Sequence, residues 1–297
     1  MPRNPVLPIH ETDRIVVTGA SGWLGRELIH RVRMLSPQTP ILALGSREGE
    51  LRVDPTMAIP VHQWSSCDVA AWKPTLAAHL AFLTRDRLET VSLDEYLAVN
   101  TQLSEAAMGF YEIPSMRGVV VASSGAAIRH LEDPYGRLKA HDETAFTGAG
   151  ERHGIPTVIA RAWSLSGRFC TKPERFLLYD LIAQALGSDT EIEISAGHEV
   201  FRKYVDASEY LSVCLAGAAM GWSGTVDSTG ALVEAEQLAD AIQVALGTRK
   251  ATLRPPAEGP PDEYFSHSPI LGEWAARLDI HLTELGQQIQ RSSEALL

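Results

Sequence analysis

One short run near the N-terminus, Ile15-Val16-Val17-Thr18-Gly19-Ala20-Ser21-Gly22-Trp23-Leu24-Gly25, leaves this chain few ways to fold. Its apolar start reads as a buried strand, and a helical pattern opens at Trp23. Between them three glycines fall three residues apart. Gly19 permits a tight turn, Gly22 lets another group approach the backbone, and Gly25 lets the helix pack closely on the strand. A helix N-terminus presents free N–H groups and roughly half a positive charge, so phosphate sits well there. The spacing is GxxGxxG rather than the commoner GxGxxG, but a strand before it and a helix after it mark a dinucleotide-binding turn. Ser21, Trp23 and Leu24 belong to the same turn and are expected to contact the dinucleotide.

Strand and helix patterns alternate over the first half of the chain. Strands are expected near 14–18, 41–44, 77–83, 116–123 and 157–162, and helices near 23–34, 93–111 and 135–153. Such alternation implies right-handed βαβ units and a parallel sheet. Val119-Val120-Val121-Ala122 has the continuous apolar character of a strand covered on both faces. Beyond Arg161 the pattern loosens, with helices near 176–186 and 235–246 and a strand near 191–195. A Pro- and Gly-rich stretch from Arg254 to Pro261 precedes a final helix near 282–291.

A chain of 297 residues, 45% of them hydrophobic, can bury a large core. Its net charge of −11 argues against a nucleic-acid-binding surface, though not against a local basic pocket. The three cysteines, Cys67, Cys170 and Cys214, are scattered, so neither a disulfide framework nor a metal site is expected. The leader 1–14 carries Pro2, Pro5 and Pro8 and lacks the apolar run of a signal peptide. No apolar stretch of about 18 residues suggests a membrane span. A cytoplasmic protein is the expectation.

The second expected strand ends Gly45-Ser46-Arg47, with no acid before Glu48. Binders of NAD commonly carry Asp or Glu at that point, on the ribose hydroxyls. Ser46 leaves room for a 2′-phosphate and Arg47 can pair with one, so NADP is preferred over NAD. Arg26 is a second candidate for the phosphate.

Tyr135-Gly136-Arg137-Leu138-Lys139 places a phenol and an ammonium on one helix face. A free phenol titrates near 10, too high for easy proton exchange at neutral pH. A neighbouring ammonium and the nicotinamide's positive charge favour phenolate, and a helix N-terminus does so too. Asp133 suits the cap of this helix and Pro134 its first turn. Ser124 ends the strand before it, where ligands collect in open parallel sheets, and can hydrogen-bond a substrate oxygen. Ser123 is its alternative.

Together these motifs resemble the extended short-chain dehydrogenase/reductase family, the NAD-dependent epimerase/dehydratase group, over about residues 13 to 290. The resemblance implies an α/β fold: a Rossmann-type doubly wound parallel sheet with a small C-terminal substrate-binding lobe. The dinucleotide domain would comprise 13–162 and 203–249, and the lobe 163–202 and 250–297. It further implies that Asp68 and Val69 contact adenine and that Leu80 and Ala81 lie beside the cofactor. His79 is given a structural role only. Asn100 matches a residue that supports the catalytic site. Arg161 and Gly167 match the substrate loop. Arg202, within Phe201-Arg202-Lys203-Tyr204-Val205, matches an arginine that grips a nucleotide-sugar diphosphate, with an ion pair as its rival role. Two residues of that loop depart from the family pattern: Ser164 replaces an Asn and Ser166 a Tyr. No Asp-Glu pair follows Ser124, which disfavours a 4,6-dehydratase.

The expected activity is therefore an NADP-dependent oxidoreductase working on a keto or hydroxy carbon of a sugar-like, nucleotide-linked substrate. Tyr135 would move the proton, Lys139 would lower its pKa and bind the ribose, and Ser124 would orient the oxygen. Ser164 and Arg202 would contact the substrate. One alternative is a nucleotide-sugar epimerase with the same residues and a retained NAD. Another is a non-catalytic dinucleotide-binding regulator, although such relatives often lose the Tyr or Lys kept here. A homodimer packed through the helices near 93–111 and 135–153 is a further expectation, with Leu97, Leu103 and Ala107 either in that interface or facing the chain's own sheet.

Overall fold

The computed structural model describes residues 7–54, 57–256 and 258–296. Residues 1–6 of the proline-bearing leader lie outside the described residues. Chain order begins with β1 (Ile15–Thr18), α1 (Trp23–Leu35), β2 (Ile41–Gly45), β3 (Gly49–Asp54), β4 (Met57–Gln63), α2 (Val69–Trp72), β5 (Leu76–His79) and α3 (Leu93–Met108). It continues with β6 (Gly118–Ser124), α4 (Ala126–Arg129), α5 (Pro134–His153), β7 (Thr157–Ala162), β8 (Ser164–Ser166), α6 (Leu177–Leu186), β9 (Glu191–Glu193) and β10 (Val200–Asp206). The last third holds α7 (Ala207–Ala219), β11 (Gly224–Asp227), β12 (Leu232–Glu234), α8 (Ala235–Leu246), α9 (Ile270–Arg277) and α10 (Leu285–Ser293).

The apolar strands assemble into an eight-stranded sheet in the order β11-β7-β6-β5-β1-β2-β4-β3. β3 is antiparallel to β4; the other pairings are parallel. This is the doubly wound α/β fold. β1, β5 and β6 are buried along their whole length, as strands covered by helices on both faces must be. The order reverses between β1 and β5, and ligands bind such folds in the crevice outside the carboxyl ends of those strands.

A second, smaller core joins Leu178 and Ile182 of α6, Val200 and Tyr204 of β10, Leu238 and Ile242 of α8, and Ile289 of α10. Packing divides the segment 203–249 between the two cores. α7 and Val226 of β11 belong with the large sheet, whereas β12 and α8 belong with α6 and α10. α9, in the C-terminal segment, returns to the large core through Leu271 and Ala275.

Several boundaries differ from the sequence reading. The strand expected at 77–83 stops at His79, because Leu80 and Ala81 turn their N–H groups onto Thr18 Oγ1, at 3.2 Å each. The helix expected to 111 closes at Met108 and tightens into a 3₁₀ turn, Gly109–Glu112. The β3–β4 hairpin was not anticipated, nor was α7. All thirteen residues of α7 are buried, so it has no polar face and no amphipathic period to read. Ala107 packs in the chain's own core and Leu97 and Leu103 are half-buried. Among the described residues no helix is long and apolar enough to cross a membrane.

Candidate active site

The dinucleotide end is made of backbone. Gly19 adopts φ +66°, and a Cβ there would stand 2.7 Å from the Ala81 backbone nitrogen. Close approach of the two loops therefore requires glycine. Gly22 is the N-cap of α1; it carries no side chain that could accept from the first turn, and that turn holds no acid. Exposed Ser21 and Gly22, half-buried Trp23 and Leu24, and buried Gly25 follow each other around this turn. An uncapped, acid-free helix start beside two glycines fits a pyrophosphate. Thr18 Oγ1 also bonds His79 Nδ1 at 2.9 Å. Burial pushes His79 down to about 3, so it is a neutral structural residue.

The other residues expected to contact the dinucleotide differ in exposure and in bonding. Leu80 and Ala81 are half-buried at the mouth of the crevice. Asp68 caps α2, accepting from Ala71 N at 3.0 Å, with Val69 opening that helix. Ser46 and Arg47 are exposed just beyond β2. The nearby acid, Glu48, is engaged elsewhere: it accepts from Gln63 N at 2.8 Å and lies 3.7 Å from His62.

One residue that sequence reading missed ties this turn to the smaller lobe. Glu27, buried in α1, accepts from Trp23 Nε1 at 3.1 Å and from Phe169 N at 2.9 Å. Burial, with Asp206 adding repulsion, pushes its carboxyl up to about 8. Trp23 meanwhile packs edge-on to Phe176 at 5.2 Å and to Tyr179 at 5.8 Å.

At the reaction end, side chains do the work. Asp133 caps α5 by accepting from Tyr135 N at 2.8 Å, with Pro134 in the first turn as expected. The Tyr135 phenol lies near enough to Ser124, at the end of β6, for that hydroxyl to favour its ionised form. Ser123 points elsewhere, donating to Glu143 at 2.5 Å, and Glu143 in turn grips Arg161. Of the two serines, the structure thus brings Ser124 to the phenol. Asn100 holds the loop after β5, accepting from Leu83 N at 2.8 Å and donating to Leu83 O.

Lys139 departs from expectation. Its Nζ donates to the Ala122 carbonyl at 2.8 Å and sits 3.5 Å from the centre of the Phe82 ring. Burial pushes it down to about 8, against the attraction of Asp142 and Glu143. The Tyr135 phenol is pushed up to about 12, first by burial and then by Tyr264 and Asp133, with the Ser124 hydroxyl opposing. The ammonium is not among the groups acting on the phenol. In the chain alone burial therefore prevails at the phenol; the lowering expected from Lys139 together with the nicotinamide charge is a property of the cofactor-bound site.

The lobe closes over these residues through Tyr264, which the sequence reading also missed. Its hydroxyl lies 3.3 Å from Ser124 Oγ. The ring packs 5.0 Å from Trp163 and 6.0 Å from His130. Trp163 is fixed in turn by Asp227, which accepts from its Nε1 at 2.8 Å. Arg202 lies 5.8 Å from the Tyr264 ring, but its guanidinium is paired with Asp262 at 2.6 Å. Ser164 is half-buried in β8, paired with Tyr204 of β10, while Ser166 donates to Gln288 of α10. No local pattern announces Tyr264, which meets Ser124 across 140 residues of sequence.

Residues 15–226 match the model of the NAD dependent epimerase/dehydratase family. No curated protein matches the chain. Among solved structures, it is similar to MoeE5 in complex with UDP-glucose and NAD, at 20% identity and TM-score 0.69, covering 95% of this chain and 98% of that one. It is also similar to the UDP-glucose 4-epimerase from Brucella ovis in complex with NAD, at 14% identity and TM-score 0.70, covering 96% and 99%. The UDP-N-acetylglucosamine 4-epimerase from Methanobrevibacter ruminantium M1, in complex with UDP-N-acetylmuramic acid, aligns at 15% identity and TM-score 0.73, covering 96% and 98%.

Proposed function

Because the chain belongs to the NAD-dependent epimerase/dehydratase family, a group of short-chain dehydrogenase/reductase enzymes, we propose that it epimerises a nucleotide-linked sugar using NAD. The observation that carries this reading is the Tyr135 phenol beside Ser124, where the α5 cap meets the carboxyl end of β6, on the same edge of the parallel sheet as the uncapped glycine turn that follows β1. Gly19, Gly22, Gly25 and the first turn of α1 hold the pyrophosphate in this proposal, with Leu80 and Ala81 beside it and Asp68 toward the adenine. When bound, the dinucleotide supplies hydride exchange and a positive charge near the phenol.

Within that site the chain's own groups handle the proton and the position of the substrate. Tyr135 takes the proton of the sugar hydroxyl as it becomes a ketone and returns it when the hydroxyl is restored. Ser124 bonds the same oxygen and fixes its distance from the phenol. Lys139, titrating near 8, keeps a positive charge beside the strand end at neutral pH. Trp163 and Tyr264 exclude water from above. Arg202 contacts the diphosphate once it exchanges its Asp262 partner for the substrate.

The sequence-based preference for a keto-sugar reductase gives way here, because the solved relatives above that carry NAD include a 4-epimerase. One observation keeps a reductase using NADP as the second reading: Ser46 and Arg47 are exposed at the end of β2, and Glu48 is turned toward Gln63 and His62. The test is to purify the protein, assay it for co-purified dinucleotide, and follow UDP-glucose by NMR. The proposal expects bound NAD and conversion at one sugar carbon without net change in nicotinamide absorbance. Dinucleotide-free protein that steadily consumes NADPH with a keto sugar would replace it with the reductase.

A further inference from the structure

On the outer flank of α1, one turn beyond the glycines, three guanidinium groups face a cleft of about 610 Å³. Arg26 comes from α1, Arg52 from β3, and Arg168 from the loop after β8. Phe169, Thr171 and Glu294 complete the lining used here. Arg26 lies 4.7 Å over the Phe169 ring, and its Nη2 reaches the Arg52 carbonyl at 3.4 Å. Its Nε is buried without a hydrogen-bond partner. Arg168 stands 3.6 Å from Glu294 and 3.5 Å from His30 Nε2. Among the described residues that line the cleft there are three arginines and one carboxylate, Glu294. In a chain of net charge −11, such a local positive surplus is a departure that solubility does not require.

We propose that this cleft binds the phosphate monoester group of a small molecule. A phosphate monoester carries nearly two negative charges and several strong acceptor oxygens. Guanidinium forks match those oxygens in pairs. The volume is in the ordinary range for a small-molecule site, roughly 300–1,000 Å³. Phe169 offers a flat apolar wall on which Arg26 is already stacked. The loop bearing Arg168 and Phe169 is anchored by Glu27, which also holds Trp23 at the dinucleotide turn. The cleft therefore adjoins the cofactor crevice. The monoester belongs to a free phosphorylated metabolite; the adenosine 2′-phosphate of NADP is the rival outcome of the test.

The test is calorimetric titration of inorganic phosphate into protein saturated with NAD, which fills the pyrophosphate turn. Arg52→Gln and Arg168→Gln are compared with the parent chain; both side chains are partly exposed, so folding is preserved. Each variant is expected to weaken phosphate at least about tenfold, the loss of one charge-assisted bond. Titrations of NADP and NAD then separate the two sources. If the cofactor brings the monoester, both variants weaken NADP about tenfold, spare NAD, and phosphate competes with NADP alone. If a free metabolite brings it, phosphate binds equally beside either dinucleotide. Only the second result supports the cleft as a site of its own; the first makes it part of cofactor binding and overturns the proposal. Absence of phosphate binding in the parent chain, or equal affinity in both variants, overturns it.

Discussion

The two ends of the candidate site are built from different materials. At the dinucleotide end the parts are backbone: Gly19, Gly22, Gly25 and the N–H groups opening α1. At the other end they are side chains from four separate segments: Phe82, Ser124, Tyr135 with Lys139, and Tyr264. The first end holds its shape because a Cβ would not fit. The second holds its shape through hydrogen bonds and ring packing, which can be removed one at a time. A binding turn is therefore expected to fail abruptly under substitution, and a reaction centre in graded steps.

The largest effect should come from Gly19→Ala. It places a Cβ 2.7 Å from the Ala81 backbone and forces a left-handed φ on a residue with a side chain. The strain of roughly 1–2 kcal/mol adds to the steric clash. Dinucleotide binding, followed by fluorescence quenching, should be lost; retention of affinity within a few-fold would erase the contrast between the two ends.

Next in size is Tyr135→Phe. Removing the proton carrier should lower turnover by about 10²–10⁴-fold while dinucleotide affinity stays nearly unchanged. Full activity in this variant would remove the phenol from the mechanism. Tyr264→Phe should cost less, about five-fold in kcat, because it deletes one neutral hydrogen bond of about 1 kcal/mol to Ser124. A loss as deep as that of Tyr135→Phe would instead make Tyr264 a proton carrier.

The smallest effect concerns Glu27, which links the dinucleotide turn to the smaller lobe. Its carboxyl is raised from 4.5 to about 8, so the folded state holds a proton that the unfolded chain releases. That contribution to stability is full below about 4.5 and is lost as pH rises through about 8. Glu27→Gln keeps an acceptor for Trp23 Nε1 and Phe169 N and should flatten the pH dependence of the melting temperature across that window. An unchanged profile would show that Glu27 is already ionised in the folded protein.

The same division explains what was legible in the sequence. The turn from Ile15 to Gly25 is contiguous, so its spacing alone disclosed the strand, the bend and the helix start. The cap and first turn of α5 are equally local, and Asp133 and Pro134 stand where the sequence put them. Tyr264 was hidden because its partners Ser124, His130 and Trp163 are remote in the chain. The rise of the Tyr135 pKa in the chain alone was hidden for a related reason. Four-residue spacing places Lys139 on the same face, but says nothing of Phe82 and the Ala122 carbonyl, which hold its ammonium in place. Arg202 was read as a substrate contact with an ion pair as its rival, and the Asp262 that pairs with it lies 60 residues on.

The central claim is that Tyr135 moves a proton beside the nicotinamide of a dinucleotide whose pyrophosphate sits on the Gly19–Gly25 turn. The most direct measurement is the pH profile of kcat for a nucleotide-linked hexose in the parent chain and in Tyr135→Phe, with NAD bound to both. The account predicts a profile in the parent chain that reports the phenol, shifted below its cofactor-free position near 12, and only residual turnover with no such limb in the variant. Equal kcat and the same profile in both proteins would contradict it.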